Sequence, residues 1–116
     1  MLINELYTAN IKVVDKNGTP IQNATVKLTD VAGTLITLTT DVDGDAPATN
    51  LITSQTKFDK DTSETDSNYK KTTFNPYVIV TDADGYSSSI KTFTIGPSMR
   101  NIVITLGHKA GYAYAV

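Results

Sequence analysis

Aspartates beside glycines are the residues of this sequence whose spacing could support chemistry. They occur in two segments, Asp41-Val42-Asp43-Gly44-Asp45 and Asp82-Ala83-Asp84-Gly85. Oxygen donors two residues apart are typical of calcium loops, although the full twelve-residue loop with its bidentate glutamate is absent. The same residues suit tight turns, because aspartate caps its own backbone and glycine adopts positive φ. The candidate calcium ligands are Asp41, Asp43, Asp45, Asp82 and Asp84, which could share an ion if both turns lie at one end of the fold. A plain turn is the competing and simpler interpretation.

Catalytic machinery is not indicated by the remaining polar residues. The one histidine, His108, has no acidic neighbour in sequence, and no G-x-S-x-G nucleophile motif occurs. The acidic residues fall in predicted turns, where carboxylates stay solvated and are not tuned for acid–base work. The absence of cysteine excludes disulfides, thiolate metal sites and cysteine nucleophiles. We therefore predict a protein that is not an enzyme, with no catalytic residues and no cofactor other than the calcium considered above.

Charge and hydropathy narrow the classes of partner. The chain has 116 residues and a net charge of −2, too mild to provide the basic face that nucleic acid requires. No apolar run approaches the length of a membrane span. The first ten residues lack the basic start and long apolar stretch of a signal peptide. We expect an extracellular, cell-surface or virion location, reached within a longer exported protein, by another export route, or by assembly without export.

The stretch from Ile11 to Asp30 predicts a β-hairpin. A run at 11–14, β-branched apart from Lys12, is followed by a turn at 15–18 whose Asn17-Gly18 pair tolerates positive φ at both positions. The run at 24–29 then alternates strictly, with Ala24, Val26 and Leu28 on one face. That alternation favours a strand with one face in a core and the other in water.

Further β-rich segments follow at regular spacing, and no window has sustained helical periodicity. The remaining predicted strands are 34–40, 46–53, 72–81, 87–95 and 100–106. The side chains expected to face inward are Ala46, Ala48 and Leu51 or Ile52 in the strand at 46–53, and Ile102, Ile104 and Leu106 in the strand at 100–106. Pro47 favours an edge position for the strand at 46–53, and the apolar run within 72–81 favours a strand in mid-sheet. About seven short strands with turns every 8–12 residues predict an all-β fold, a seven-stranded antiparallel β-sandwich with Greek-key connections.

Three segments outside the regular pattern are the candidate contact regions. We expect an N-terminal arm at 1–9, a sandwich domain at 10–106 with a polar surface excursion at 54–71, and a tail at 107–116. The arm and tail are equally compatible with a frayed linker and a disordered end, and the excursion with a tolerated insertion. The candidate interaction residues are Leu2, Ile3, Leu6 and Tyr7 in the arm, Phe58 and Tyr69 in the excursion, and Tyr112 and Tyr114 in the tail. Phe58 and Tyr69 could instead form a small sugar-binding patch or anchor the excursion to the sheet.

An ordered set of short motifs gives the chain a family resemblance. The motifs are Val13-Val14-Asp15, Asn17-Gly18, Pro20-Ile21, Ala24 to Leu28, Thr39-Thr40-Asp41, Asp43-Gly44, Tyr77 to Val80, Gly85-Tyr86 and Asn101 to Leu106. In this order they resemble the carboxypeptidase regulatory-like domain family over roughly residues 10–106. The resemblance implies a transthyretin-like, Ig-like sandwich. It also implies a non-catalytic role, since these modules occur in secreted enzymes, adhesins, surface-layer proteins and phage structural proteins.

Two functions remain open from the sequence. The first is a non-enzymatic structural or interaction module of an extracellular surface protein, filament or virion. Its partners would be other protein subunits or neighbouring domains, including further copies of itself, contacted through the termini and the long loop. The alternative is a carbohydrate- or calcium-binding accessory module of a secreted enzyme, with a glycan as its partner.

Overall fold

A computed structural model describes the backbone of residues 2–58 and 69–108 and the side chains of residues 3–57 and 70–108. Eight strands make up this part of the chain: β1 Leu2–Asp15, β2 Thr25–Thr29, β3 Leu35–Thr39, β4 Thr49–Phe58, β5 Tyr69–Thr73, β6 Tyr77–Asp82, β7 Ser89–Phe93 and β8 Asn101–Leu106. The all-β prediction is confirmed for the described residues, with eight strands where seven were expected.

Two four-stranded sheets form the sandwich. Their strand orders are β5-β4-β1-β8 and β3-β2-β6-β7. All pairings are antiparallel except one: β1 and β8 run parallel, from Asn10 beside Asn101 to Asp15 beside Leu106. The expectation of a purely antiparallel sandwich is therefore wrong. Local alternation gives no information on whether distant strands run parallel.

The core lies between the two sheets and is built from the alternating strands. Its fully buried members are mainly β-branched or leucine side chains, which pack well on pleated surfaces. The predicted inward sets of β2 and β8 are confirmed, because Ala24, Val26, Leu28, Ile102, Ile104 and Leu106 are all buried. β6 lies between β2 and β7 as expected for a mid-sheet strand, with Tyr77, Ile79 and Thr81 facing inward.

The predicted first hairpin does not form, although its turn does. Asp15 N–H donates to Thr19 O at 2.9 Å, and Val14 bridges to Pro20, so the chain reverses as expected. The returning segment stops there, because Asn23 adopts φ 64° and redirects the chain into the opposite sheet. β2 therefore pairs with β3 and β6, and never with β1.

The fourth strand is also placed differently from the prediction. β4 begins two residues after Pro47 and lies in mid-sheet between β1 and β5, whereas an edge strand at 46–53 was expected. Of the residues expected inward, Ala46 and Leu51 are buried and Ala48 is exposed. β4 continues to Phe58 and pairs with β5, so both ends of the predicted excursion at 54–71 are strands of a hairpin. Residues 59–68 lie outside the described part.

Candidate functional site

The aspartate turn between β3 and β4 is a closed hydrogen-bonded unit. Asp41 Oδ1 accepts the N–H groups of Asp43 at 2.9 Å and Asp45 at 3.0 Å. The Asp41 carbonyl accepts the N–H of Gly44, whose φ is +77°. A side chain on Gly44 would meet Val13 O at 2.6 Å, so only glycine fits here. One carboxylate oxygen of Asp41 is thus used to hold its own turn.

This turn nevertheless brings three carboxylates together on the surface. Oxygens of Asp41, Asp43 and Asp45 lie within 4.8 Å of one another, and all three residues are exposed. Lys12 supplies positive charge beside them: its Nζ donates to Asp43 O at 2.8 Å and lies 3.6 Å from Asp45 Oδ1. An ammonium group therefore occupies part of the space in which a divalent cation would collect ligands.

The second aspartate segment does not join this cluster. By strand register, Asp82 and Thr39 lie level with Thr25 on either side of β2, so both turns are at the same end of the sandwich. Asp82 accepts the hydroxyl of Ser88 instead. Asp82 and Asp84 are not part of the one carboxylate group that the described residues bring within ligating distance. The shared calcium site considered from the sequence is not assembled from all five residues.

Two further turns repeat the arrangement at Asp41, which the sequence reasoning missed. Asp15 Oδ1 accepts the N–H groups of Asn17 and Thr19, and Asp30 Oδ1 accepts those of Ala32 and Thr34, all at 2.8–2.9 Å. The signal was present, because each segment reads Asp-x-x-Gly. Asp82-Ala83-Asp84-Gly85 has the same pattern but turns one residue later, with Tyr86 N–H donating to Ala83 O. Three of the four aspartates thus have a structural role in their turns.

The other candidate site lies at the opposite end, where part of one sheet extends past the strands of the second sheet that the structure describes. β1 is buried along its second half, with Ala9, Ile11 and Val13 in the core. Along its first half Ile3 is 51% exposed and Leu6 50% exposed. We call residues 2–8 of β1, residues 52–58 of β4 and all of β5 the open ribbon. Its strands pair with one another but extend beyond the second sheet.

A β-bulge marks the point where the open ribbon leaves the sandwich. The register of β1 and β4 shifts between Glu5 and Leu6, because Glu5 pairs with Ser54 and Leu6 with Ile52. The extra residue, Thr53, is buried, and its hydroxyl lies 3.2 Å from Glu5 O. Bulges bend a strand and increase its twist. The bulge therefore sets the direction in which the ribbon leaves the core.

Tyr77 of β6 forms a hydrogen bond between the two sheets next to the bulge. Its hydroxyl donates to Ile52 O at 2.7 Å, and its ring is buried in the core. Burial raises the pKa of the Tyr77 phenol, and the negative charge of Asp30 raises the pKa further. Tyr77 therefore stays protonated and keeps this hydrogen bond at neutral pH.

A cleft of about 210 Å³ lies on the inner face of the open ribbon, beneath the end of the core. Its walls come from Glu5 and Tyr7 of β1, Ser54 of β4, Lys71 of β5 and the loop at 95–97. The cleft is smaller than the roughly 300–1,000 Å³ of pockets that hold drug-sized ligands. Its size suits a single inserted side chain.

The sequence-predicted contact residues fall mainly on this ribbon. Ile3 and Leu6 are exposed and Tyr7 is half-buried beside the core. The backbones of Leu2, Phe58 and Tyr69 lie in β1, β4 and β5, and Phe58 pairs with Tyr69, while their side chains lie outside the described part. Tyr112 and Tyr114 lie outside the described residues. The predicted arm at 1–9 is not separate from the domain, because β1 runs through that boundary.

Gly107 and His108, which follow β8, are fixed at the end of the sandwich that carries the aspartate turns. His108 bridges to Tyr86, and the two rings stack with centroids 4.7 Å apart. Ser87 N–H donates to Gly107 O at 2.8 Å. His108 thus has a packing role that its sequence context did not indicate.

Comparison with known proteins finds distant structural similarity to a solved protein. No known family matches the sequence, and neither does any curated protein. The solved "C-terminal fragment of pilus adhesin SpaC from Lactobacillus rhamnosus GG" is similar with 15% identity and a TM-score of 0.40, over 90% of this chain and 46% of that one. This chain thus spans less than half of that fragment. The description of the fold rests on the strands themselves, and the resemblance to the carboxypeptidase regulatory-like family stays a prediction. Among residues 2–58 and 69–108, no helix is long and apolar enough to cross a membrane.

Proposed function

We propose that this chain is a non-enzymatic β-sandwich module of an extracellular surface protein, filament or virion, which contacts other subunits through the ends of the sandwich. The observation that carries the proposal is the open ribbon. It exposes Ile3 and Leu6 on strands that the second sheet does not cover in the described part of the chain. An unpaired strand edge is a template for pairing with another chain, and folded proteins usually protect such edges.

One continuous strand, β1, connects the two ends of the module. β1 has 14 residues, which span about 46 Å at ~3.3 Å per residue. The same strand forms the open ribbon at one end and reaches the aspartate turns at the other. A force applied to the open ribbon therefore acts directly on the second half of β1, which is buried in the core.

The carboxylates of the described part favour this structural role over acid–base chemistry. The aspartates at positions 15, 30 and 41 each use a side-chain oxygen to accept two backbone N–H groups of their own turn. The placement outside the cell follows from the family resemblance of the sequence, whose members serve in adhesins, surface layers and phage particles. It is part of the proposal.

A calcium-binding accessory module is the second candidate, and one observation favours it. The carboxylates of Asp41, Asp43 and Asp45 lie within 4.8 Å of one another on the surface. Against it, Lys12 lies among them and one oxygen of Asp41 is used by the turn. A cation would have to displace the lysine and collect further ligands from water.

Sedimentation of the full chain over a wide range of concentration tests the proposal. The matched variant is Leu6→Asp, which places a charge on the open ribbon without touching the core. We expect concentration-dependent association of the original chain, loss of association in the variant, and identical circular dichroism spectra for both. A chain that stays monomeric at every concentration, with a melting temperature raised by calcium and lowered again by EDTA, would favour the accessory module instead.

A further inference from the structure

One edge of β1 is only half occupied. β8 pairs with residues 10–15 of β1, beginning where Asn10 N–H donates to Arg100 O at 2.7 Å. Alternate residues of a strand direct their backbone groups to opposite edges. Asn4, Leu6 and Thr8 therefore direct theirs to the same edge as Asn10. No strand among the described residues pairs with them there, since β4 occupies the other edge.

The inner surface of the open ribbon indicates that a strand, and not a second sheet, completes it. By alternation, Ile3 and Glu5 of β1 and Thr56 and Lys71 of the neighbouring strands face inward. Only one of these four side chains is apolar, so packing another sheet on this face would bury charge with little apolar gain. Pairing along the edge satisfies backbone groups and leaves the charged side chains in water.

The segment that follows β8 has the sequence of a strand that could fill this edge. Residues 109–116 read KAGYAYAV, in which Tyr112, Tyr114 and Val116 alternate with alanines. Period-two alternation of large and small residues is typical of a strand with one packed face. The segment carries a single charge, at Lys109, so its entry beside another strand costs little desolvation.

The segment cannot fill the edge of its own chain. Leu106 lies beside Asp15, and His108 is held further along by its bridge to Tyr86. Measured back along β1 from Asp15, Thr8 is about 23 Å away and Leu2 about 43 Å away. Eight fully extended residues span at most about 29 Å. Even if it turned back at once, the segment would extend only to about the level of Thr8, so residues 109–116 do not reach the free edge of their own β1, and the free edge of a second copy is the alternative.

We propose that residues 109–116 of one copy pair in parallel with residues 2–8 of β1 in a second copy, completing the edge whose other half that copy's own β8 occupies. The inference rests on the proposed function and names its partner as the same chain. The donated segment runs in the direction of β8, which is parallel to β1. It therefore enters the next copy in line with that copy's β8, and the two copies stack end to end.

The cleft gives the donated strand a place for one aromatic side chain. With the alanines on the outer face beside Leu6 and Thr8, Tyr112 and Tyr114 turn to the inner face, beside Ile3 and the cleft of about 210 Å³. The apolar part of a tyrosine would pack on Tyr7 at the end of the core, and its hydroxyl would meet the polar wall. This would explain why an exposed isoleucine and a cleft lie beside an edge that no described strand pairs with.

Such a contact is head-to-tail, with different surfaces on the two partners. Heterologous contacts generate rings when the rotation closes and open fibres when it does not. Each copy here offers its ribbon at one end and its donated segment at the other. The assembly grows by repetition of one contact and does not stop at a symmetric dimer.

Disulfide trapping tests the contact, because the chain has no cysteine of its own. A chain with Leu6→Cys is mixed under oxidation with an isotopically labelled chain carrying Ala113→Cys, and mixed dimers are identified by mass. We expect a crosslink in high yield, because the proposed pairing places positions 6 and 113 side by side on neighbouring strands. A disulfide forms only between Cβ atoms that approach to about 3.5–4.5 Å. Parallel pairing further predicts that Ala115→Cys crosslinks to Thr8→Cys in preference to Asn4→Cys.

The matched control is Val42→Cys, an exposed position in the turn at the opposite end. A Leu6 yield no higher than the Val42 yield would overturn the inference. A preference of Ala115→Cys for Asn4→Cys would overturn the parallel direction. Sedimentation separates this failure from failure of the proposed function. If a chain without residues 109–116 associates as the full chain does, and Leu6→Asp still abolishes association, the ribbon is an interface and only the donated segment is wrong.

Discussion

The two halves of β1 have similar kinds of residue in entirely different surroundings. Residues 9–15 lie between β8 and the rest of the sheet and face the second sheet, so that Ile11 and Val13 are buried. Residues 2–8 pair on one edge only, and Ile3 and Leu6 are half exposed. The strand is continuous across the two regions. The difference shows that exposure along β1 is set by which neighbours are present, and not by how apolar its residues are.

The two halves of β1 also differ in whether their burial and backbone hydrogen bonding are completed within the chain. In the covered half, burial and hydrogen bonding are completed within the chain, which stabilises the fold. In the open ribbon the backbone groups of one edge pair with no strand among the described residues, and the side chain of Ile3 is half exposed. A free edge is an aggregation hazard unless it is protected or used. Because the sequence at 109–116 alternates as a strand does, we propose that the free edge serves assembly.

The largest expected difference is between core and ribbon truncations. Leu28→Ala removes a fully buried side chain and should lower the free energy of unfolding by about 2–5 kcal/mol. Ile3→Ala should change it by less than about 0.5 kcal/mol, as surface substitutions do. Urea denaturation of both variants measures this. A loss at Ile3 as large as that at Leu28 would mean that the ribbon is covered within the monomer.

Two buried threonines should respond to valine in opposite directions. Thr40 Oγ1 donates to Ile21 O and accepts from Ala24 N–H, so Thr40→Val leaves a buried pair unsatisfied and should cost about 1–3 kcal/mol. Thr81 is fully buried, and its hydroxyl has no partner among the described atoms. Thr81→Val replaces it with a methyl group of the same shape and should leave stability unchanged or raised by about 1 kcal/mol. Equal losses in the two variants, by the same denaturation assay, would contradict this part of the core.

The aspartate turns should rank by the hydrogen bonds of their side chains. Asp30→Ala removes a buried carboxylate that accepts two backbone N–H groups of an otherwise exposed turn, and should cost about 1–2 kcal/mol. Asp30→Asn keeps an acceptor oxygen and should recover most of that loss. Asp82→Ala, whose carboxylate accepts only the exposed Ser88 hydroxyl, should cost less than Asp30→Ala. Thermal unfolding followed by circular dichroism would reveal a reversed ranking of Asp30 and Asp82.

The hydrogen bond from the Tyr77 hydroxyl to Ile52 O should make a small, pH-dependent contribution to the free energy of unfolding. Tyr77→Phe removes one hydrogen bond and should cost about 1 kcal/mol at neutral pH. The folded-state pKa of Tyr77 is raised, so the folded chain keeps a proton that the unfolded chain loses near pH 10. The contribution of this phenol to stability is therefore complete below about pH 10 and falls as the pH rises toward the folded-state pKa. The stability difference between the two proteins should shrink in that alkaline range, and a difference that grows there would contradict the assignment.

The strands themselves were predictable, since period-two alternation is a local property. β2, β3 and β8 were placed to within about a residue because their apolar residues alternate. The strand predicted at 72–81 from its apolar run begins five residues before β6 and takes in the end of β5. The turns were also predictable from Asp-x-x-Gly. Even the extension of β1 left a signal, because Ile3, Tyr7, Ala9, Ile11 and Val13 all fall at odd positions.

The partners of the strands could not be predicted from the sequence. Whether β2 returns beside β1 or crosses to the other sheet depends on the positive φ of Asn23, a conformation that the asparagine permits but does not require. The parallel pairing of β1 with β8 joins residues about ninety positions apart, beyond the reach of any local pattern. The open ribbon follows from that pairing, because it exists only where β8 has not yet begun. The aspartate cluster was found by spacing, whereas its lysine came from another strand.

Amide hydrogen exchange along β1 tests the central claim most directly. At low concentration, where the chain is monomeric, the amides of Asn4, Leu6 and Thr8 should exchange quickly, and those of Asn10, Lys12 and Val14, which face β8, should be protected. Raising the concentration should protect the first three and leave the others unchanged. Strong protection of Asn4, Leu6 and Thr8 in the monomer would show that their edge is already covered, and would contradict the account.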